Sequence, residues 1–400
     1  MLSDNSLVKD RQLWQAVAAG VVFYMMAPLG MTMLPLLVGA VSTELGFSDS
    51  QAGYLASIDL AGIVLAAVTS PAWIHRFSRK RIALVCIALL LAGNAWSLNA
   101  TGFLELCSAR FVAELGSGIA FSLALVTLGE QEKPDRYFSI GIGSTIALSV
   151  VVFLWIPAAI SQYGIGTLFL FQIVLSALVG LFIGWLPTQG SAPDRQRGAE
   201  TQKKGHARLF VCFLAFSCFT IVEGGLWSYV ERIGDSSGLT AEYIGRVLAL
   251  TQFASLLASM ISSTLSTRLG RFAPIAFGSF VFLISLYLIQ QPQAELFLVG
   301  ACLSQFAYIF MLPYMMLLCV ELDNSGRYYV LVTAFKMGGF ALGPAIVASM
   351  LGYGGFVIVS WIGLLFLCLS LLLIGPLAIK LDKTERTPDV PVETSEIGTS

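Results

Sequence analysis

The stretch Gly46-Phe-Ser-Asp-Ser-Gln-Ala-Gly53 recurs 192 residues later as Gly238-Leu-Thr-Ala-Glu-Tyr-Ile-Gly245, each time at the start of a long apolar run. At the same offset, Arg76-Phe-Ser-Arg79 returns as Arg268-Leu-Gly-Arg271, just after the same two runs. Chance similarity between apolar segments does not explain polar loop residues that recur at one spacing. The pattern therefore predicts two homologous halves, each built on the same succession of helices.

The runs between these loops are long enough to cross a bilayer. Of the 400 residues, 56% are hydrophobic and 12% charged, and the mean hydropathy is +0.81. A soluble domain carries about twice that charged fraction. A helix of about 20 apolar residues crosses about 30 Å of hydrocarbon with its backbone hydrogen bonds satisfied. We predict twelve spans, over residues 13–41, 51–74, 82–99, 103–129, 138–160, 164–187, 208–232, 241–266, 272–290, 294–320, 328–352 and 355–380.

The polar segments predict the domain order and the orientation. With the N-terminus in the cytoplasm, the cytoplasmic segments hold all but four of the 23 Lys and Arg residues. The positive-inside rule then places both termini in the cytoplasm, and we expect a multi-pass protein of the cell inner (plasma) membrane. The predicted parts are a cytoplasmic segment 1–12, a six-helix bundle 13–187, a cytoplasmic linker 188–207, a six-helix bundle 208–380 and a disordered cytoplasmic tail 381–400.

Composition also narrows the possible partners. The net charge of −1 gives no reason to expect nucleic acid. The seven cysteines lie in apolar runs without a CxxC pair, and the two histidines lie in polar loops, so we expect no metal and no cofactor. A phosphate-binding G-x-x-x-x-G-K-[ST] loop is absent, which excludes an ATP-driven pump. The expected partners are lipid, a small solute and protons, and we expect a monomer.

Two local signatures accompany the repeat. Span four contains Arg110-Phe-Val-Ala-Glu114-Leu-Gly116-Ser-Gly118, and the loop after span two reads Ser70-Pro-Ala-Trp-Ile-His-Arg-Phe-Ser-Arg-Lys-Arg81. With twelve spans in two repeats, the chain resembles the major facilitator superfamily from Leu13 to about Lys380. Span four is similar to the family pattern R-x-x-x-G-x-G-x-G, with Glu114 at the first glycine. The loop keeps the family's basic residues, but His75 replaces its acidic residue and Ser78 its glycine.

The resemblance implies an all-α integral membrane fold in which two six-helix bundles rock about a central cavity. Spans 1, 4, 7 and 10 would line that cavity. The family's antiporter pattern G-x-x-x-G-P is absent from span five and appears in span eleven, as Gly339-Phe-Ala-Leu-Gly343-Pro344. A gating role for the loop residues is also implied, and the residues concerned are Arg76, Arg79, Lys80, Arg268 and Arg271.

Charged residues within the spans carry the functional prediction, because each costs roughly 2.5–3.5 kcal/mol in lipid unless it is paired or hydrated. Asp59 and Arg110 lie at similar depths, and Glu114 follows Arg110 by four residues, on the same helix face. One base cannot fully neutralise two acids, so we interpret the three residues as a proton-coupling site. The alternative is a structural salt bridge.

A second group of residues is predicted to contact the solute. Lys336 and Arg110 suit an anionic group, while Glu223 suits a cationic one. The alternatives are that Lys336 balances an acid of span two or seven, and that Glu223 and Lys336 reach the lipid headgroups. Uncharged candidates are more often packing residues than ligand contacts, and these are Tyr24, Trp227, Gln252, Gln305 and Tyr308.

Together these features predict a secondary active transporter, not an enzyme. We expect it to move a small organic solute by alternating access with proton coupling, and the two cations favour an anion or carboxylate. Proton-driven efflux of drugs is the first alternative. Uptake of copper(I) through the methionines of spans one and ten, or of another metal, is a second. A membrane receptor without transport and a membrane-embedded enzyme are further alternatives.

Overall fold

The structure, a computed structural model, describes residues 2–187, 206–266, 268–322 and 329–386. All regular structure in these ranges is helical. The helices are α1 (Leu2–Met26), α2 (Leu29–Thr32), α3 (Leu34–Glu44), α4 (Asp49–Trp73), α5 (Arg79–Asn99), α6 (Phe103–Gly129), α7 (Pro134–Tyr163), α8 (Gly166–Gly180), α9 (His206–Ser236), α10 (Ala241–Leu265), α11 (Phe272–Leu288), α12 (Ala294–Leu322), α13 (Tyr329–Gly354) and α14 (Val357–Arg386), with a 3₁₀ turn at Leu181–Trp185 after α8.

Eleven stretches of the described chain are helical, long and apolar enough to cross a membrane. They correspond to eleven of the twelve predicted spans. The remaining prediction, 272–290, coincides with α11, whose 17 residues reach about 26 Å at 1.5 Å per residue. That length is at the lower limit for a transmembrane helix, so a twelfth crossing stays a prediction.

The first span is not the single helix that was predicted over 13–41. It is interrupted after Met26 and again at Met33, which gives α1, the short α2 and α3. Pro28 precedes α2, and Pro35 occupies the first turn of α3. Proline cannot donate the backbone hydrogen bond that a continuous helix needs, so the helix is interrupted twice within the predicted span.

The predicted disordered tail also begins too early. The α14 helix continues through residues 381–386. Asp382 explains the extension, because its carboxylate accepts hydrogen bonds from the backbone N–H groups of Arg271 (2.9 Å) and Phe272 (3.1 Å) at the start of α11. An acid at a helix N-terminus is favourable. Residues 387–400, and residues 188–205 of the predicted linker, lie outside the described residues.

The helices pack as two bundles, as the resemblance implied. In the first, α1, α4 and α5 pack on α6, and in the second, α13 and α14 pack on α9 while α10 and α11 pack on α12. The α9 and α13 backbones approach closely, because a Cβ at Gly343 would overlap the backbone nitrogen of Gly225. The Gly339–Gly343 pattern of span eleven therefore packs two helices. The bundles meet through α4 with α13, α7 with α10 and α3 with α9.

The sequence repeat has a structural counterpart at the helix ends. Arg79 and Arg271, equivalent positions of the two halves, are each 4% exposed. Arg79 pairs with Glu130 after α6, and the Nε of Arg271 lies 2.5 Å from Oε2 of Glu321 in α12, the helix equivalent to α6. Arg76 and Arg268, which lie three residues before Arg79 and Arg271, are both exposed, and Lys80 is half-buried. The gating role of these five residues stays a prediction.

Candidate transport site

Arg110 is the centre of a buried polar cluster in the first bundle. Its Nε donates to Oδ1 of Asp59 at 2.9 Å, and one terminal nitrogen donates to Oε1 of Glu114, also at 2.9 Å. The other terminal nitrogen donates to the side-chain oxygens of Asn94 (2.8 Å) and Gln172 (3.0 Å). The side chains of Asp59, Arg110 and Glu114 are at most 1% exposed. Four helices, α4, α5, α6 and α8, thus converge on one guanidinium.

The cluster brings together the three residues predicted for proton coupling. With both acids ionised it carries one net negative charge, and with one proton it is neutral. The second oxygen of Asp59 is buried and accepts no hydrogen bond within the described part of the chain. Such an oxygen costs free energy when it is ionised and unpaired, so the cluster has a physical reason to bind a proton. It also leaves Arg110 fully engaged and away from any solute in this conformation.

The Glu114 carboxylate lies directly against the interrupted first span. A Cβ added at Gly30 would overlap Oε1 of Glu114. Gly30 belongs to α2, the short helix between the two interruptions. The Glu114 carboxylate is therefore in contact with the short segment of span one between its two interruptions.

A cavity of about 140 Å³ lies between the bundles. Both halves contribute to it, through α4 and α6 on one side and α12 and α13 on the other. Its lining is mostly apolar, and consists of Ala27, Pro28, Met31, Leu60, Ile63, Val64, Phe121, Tyr308, Lys336, Met337 and Phe340.

Lys336 is the charged residue among those that line the cavity. It lies seven residues into α13, roughly 10 Å along the helix. No acid within the described residues pairs with Lys336, and its side chain is shielded from solvent. An unpaired cation in an apolar cavity can bind an anionic group, and Tyr308 lines the same cavity.

Glu223 and Gln305 form a separate contact in the second bundle. Nε2 of Gln305 on α12 donates to Oε1 of Glu223 on α9 at 2.5 Å. Glu223 is 2% exposed, and it is not among the residues that line the cavity. The structure therefore brings two predicted solute contacts together, but behind the cavity wall.

The other uncharged candidates are not among the residues that line the cavity, although two of them contact lining residues. The ring of Tyr24 packs against Phe121 and Phe138, with centroids 5.4 and 6.2 Å away. The indole N–H of Trp227 donates to the backbone oxygen of Met31 at 3.1 Å, across the two bundles. Gln252 donates to the hydroxyl of its neighbour Thr251 at 3.4 Å.

Contacts between the bundles close one end of the molecule. Arg232 binds Oδ1 of Asp49 at 2.8 Å, and the hydroxyl of Tyr229 donates to the backbone oxygen of Asp49 at 2.9 Å. A Cβ at Gly245 would overlap the backbone oxygen of Phe153. We call the end that holds Asp49, Tyr229 and Arg232 the closed end. The cavity begins roughly 17 Å farther along α4, at Leu60.

Comparisons with known proteins agree with this architecture. The family model described as Major Facilitator Superfamily matches residues 20–322. This chain belongs to the Major Facilitator Superfamily. Its sequence is 24% identical over 278 residues to the putative transporter AraJ of Escherichia coli, covering 65% of this chain and 68% of that one. It is 22% identical over 370 residues to the cis,cis-muconate transport protein of Acinetobacter baylyi, covering 82% and 86%.

A solved structure shares the fold over nearly the whole chain. The POT family transporter PepTSo superposes with a TM-score of 0.73 at 11% identity, covering 94% of this chain and 99% of that one. The superfamily membership and the relatives named as transporters identify the chain as a multi-pass membrane transporter and not an enzyme. The predicted family and fold class are confirmed.

Within this superfamily member, the sequence reasoning missed several site residues. Asn94 and Gln172 complete the coordination of Arg110, and both are amides inside apolar runs, a signal that was present in the sequence. Asp49 and Tyr229 at the closed end were also missed. Their contacts join distant parts of the chain, and a local pattern does not reveal such pairings.

Proposed function

We propose that this transporter moves a small organic anion, with a carboxylate and an apolar body, by alternating access coupled to protons. Lys336 carries this proposal, because it is an unpaired cation in a cavity whose other walls are mostly apolar. The ammonium group would bind the carboxylate and the apolar walls would bind the body. A cationic drug would meet an unfavourable charge at the same point, which disfavours the efflux alternative.

Proton coupling is assigned to Asp59, Arg110 and Glu114. One guanidinium holds two acids in a buried site, so gain or loss of one proton changes the net charge there from neutral to negative. Because Glu114 touches Gly30 in the interrupted span, the change would act on a helix that borders the cavity. Coupling of this kind biases an existing two-state equilibrium.

The predicted orientation indicates which side of the membrane the closed end faces. If both termini are cytoplasmic, the closed end faces outward, and the cavity belongs to an inward-open state of a protein in the cell inner membrane. The name of the Acinetobacter baylyi relative supports the solute class, because muconate is an unsaturated dicarboxylate.

Uptake into proteoliposomes tests the proposal. We expect a pH gradient to drive accumulation of cis,cis-muconate or of another member of a panel of small mono- and dicarboxylates. Lys336→Gln should reduce uptake roughly tenfold to a hundredfold, since a charge-assisted hydrogen bond contributes about 1.5–3 kcal/mol. Lys336→Arg should retain part of it. Arg246→Gln, which removes an exposed cation of α10, is the matched control.

The coupling is tested in the same vesicles. Asp59→Asn and Glu114→Gln should abolish the dependence on the pH gradient while exchange of solute across the membrane continues. Full uptake by Lys336→Gln would overturn the anion site. Unchanged proton coupling in both acid variants would overturn the role of the cluster.

A further inference from the structure

Glu223 is the buried acid that the proposed function leaves unused. It lies near the middle of α9, and its second oxygen, Oε2, has no hydrogen-bond partner among the described residues. Its other oxygen accepts one hydrogen bond, from the neutral amide of Gln305. This differs from the Arg110 cluster, where a guanidinium compensates the acids directly.

No cation within the described ranges compensates Glu223. The helices packed against α9 are α3, α4, α10, α12, α13 and α14. From α12 the Gln305 amide and the Tyr308 phenol face it, and the Tyr308 phenol is close enough to interact with its charge. Lys336 of α13 forms no pair with Glu223, and Asp59 of α4 is bound to Arg110. The other charged groups of these helices lie within about two turns of the helix ends, and they include Glu44, Asp49, Glu242, Arg246, Glu295, Glu321, Lys380, Asp382 and Lys383.

An ionised carboxylate with this surrounding would be an uncompensated charge in the membrane interior. Desolvation of an isolated carboxylate is so costly that the group takes a proton instead. A protonated Glu223 removes the charge and still accepts the hydrogen bond from Gln305 at Oε1. The unpartnered Oε2 is the oxygen that would hold the proton.

The helix that holds Gln305 also borders the cavity. Gln305 and Tyr308 lie three residues apart on one face of α12, and Tyr308 lines the cavity that Glu223 does not reach. The side-chain oxygen of Gln305 faces Ser255 of α10 at 3.5 Å, so the amide nitrogen is directed towards Glu223. Tyr308 therefore borders the cavity and is also near enough to Glu223 to interact with its charge.

From this geometry we propose a second proton site, at Glu223, in the second bundle. In the closed-end conformation Glu223 holds a proton on Oε2, Gln305 orients the carboxyl group, and Tyr308 lies near both the acid and the cavity. Each bundle then contains one protonatable centre of different chemistry, a guanidinium cluster in the first and an acid–amide pair in the second. The use of this proton in transport rests on the proposed function, whereas its presence does not.

Infrared spectroscopy of the purified full-length protein in lipid vesicles tests the presence of the proton without any solute. A protonated carboxyl group gives a carbonyl band that a carboxylate lacks. At neutral pH we expect Glu223→Gln to remove one component of that band, and the exposed-acid control Glu242→Gln to leave the band unchanged. A band unaltered by Glu223→Gln would overturn the proposal.

A second variant serves if Glu223→Gln does not fold. Gln305→Leu removes the hydrogen bond to Oε1 and keeps the acid, so the Glu223 component should persist and move to higher frequency. Loss of the component, or no shift, would contradict the assignment. Neither measurement depends on carboxylate uptake. The infrared result can therefore be interpreted even if the protein proves not to transport carboxylates.

Discussion

The Nε of Arg232 lies 2.8 Å from Oδ1 of Asp49, which ties the end of α9 to the first residue of α4 and so joins one bundle to the other. Arg232 also pairs with Asp235, three residues further along its own helix, at 2.7 Å. One arginine therefore makes one pair between the bundles and one pair within a single helix.

Asp49→Asn should weaken closure. A partly exposed ion pair contributes up to about 1 kcal/mol, so we expect the ratio of closed to open molecules to fall about fivefold at most. Spin labels at Ser161→Cys in the first bundle and Ser236→Cys in the second, with Cys368→Ser, would report the distance across the closed end. Asp235→Asn is the control, because its pair lies within one helix. Equal distance distributions in both variants would contradict the assignment.

Gly30→Ala should uncouple the Arg110 cluster from span one. The added methyl group would overlap the Glu114 carboxylate and force it or α2 to move. We expect loss of proton-driven uptake with the protein still folded. Gly143→Ala is the matched control in the same bundle, since a Cβ there meets nothing within 4 Å. Normal coupling in Gly30→Ala would show that this contact has no part in the mechanism.

Arg79→Ala and Arg271→Ala should both lower stability. Each removes one partner of a buried ion pair, which costs about 3–5 kcal/mol when the other charge is left buried; the lower end is expected here because the acids are partly exposed. Thermal unfolding in detergent would measure the effect. The equivalent exposed residues supply the controls, and Arg76→Ala and Arg268→Ala should each change stability by at most about 0.5 kcal/mol. A ranking in which the exposed residues matter more would contradict the buried pairs.

The orientation predicts which end of the molecule a membrane-impermeant maleimide can reach from outside the cell. A cysteine at Ser161, exposed at the closed end, should react in intact cells. A cysteine at Arg76, exposed at the opposite end, should react after the membrane is permeabilised. The wild-type protein gives the background from its own exposed Cys368. The reverse labelling pattern would invert the topology and make the conformation outward-open.

Counting residues along helices was enough to predict the pairing of Asp59 with Arg110, because helix rise converts sequence position into depth. The repeat likewise predicted that Arg79 and Arg271 are equivalent. The sequence shows the amides of Asn94 and Gln172 inside apolar runs, but it does not show that both bind Arg110, because that depends on how α5 and α8 pack against α6. The unpaired state of Lys336 and the closure through Asp49 depend on how the bundles meet, and a single sequence holds no local signal for that.

The paired helix ends show how far the two halves of the chain are alike. Arg79 and Arg271 occupy equivalent positions, and each pairs with an acid at the end of the equivalent helix. The buried charges are not repeated: at the same offset of 192, Asp59, Arg110 and Glu114 correspond to Thr251, Cys302 and Phe306, and Glu223 corresponds to Met31. The two halves therefore share the ion pairs that join helix ends and differ in the groups that can hold a proton. A chain built from two copies of the first half would keep the buried arginine at both helix ends and lose Glu223 from the second bundle.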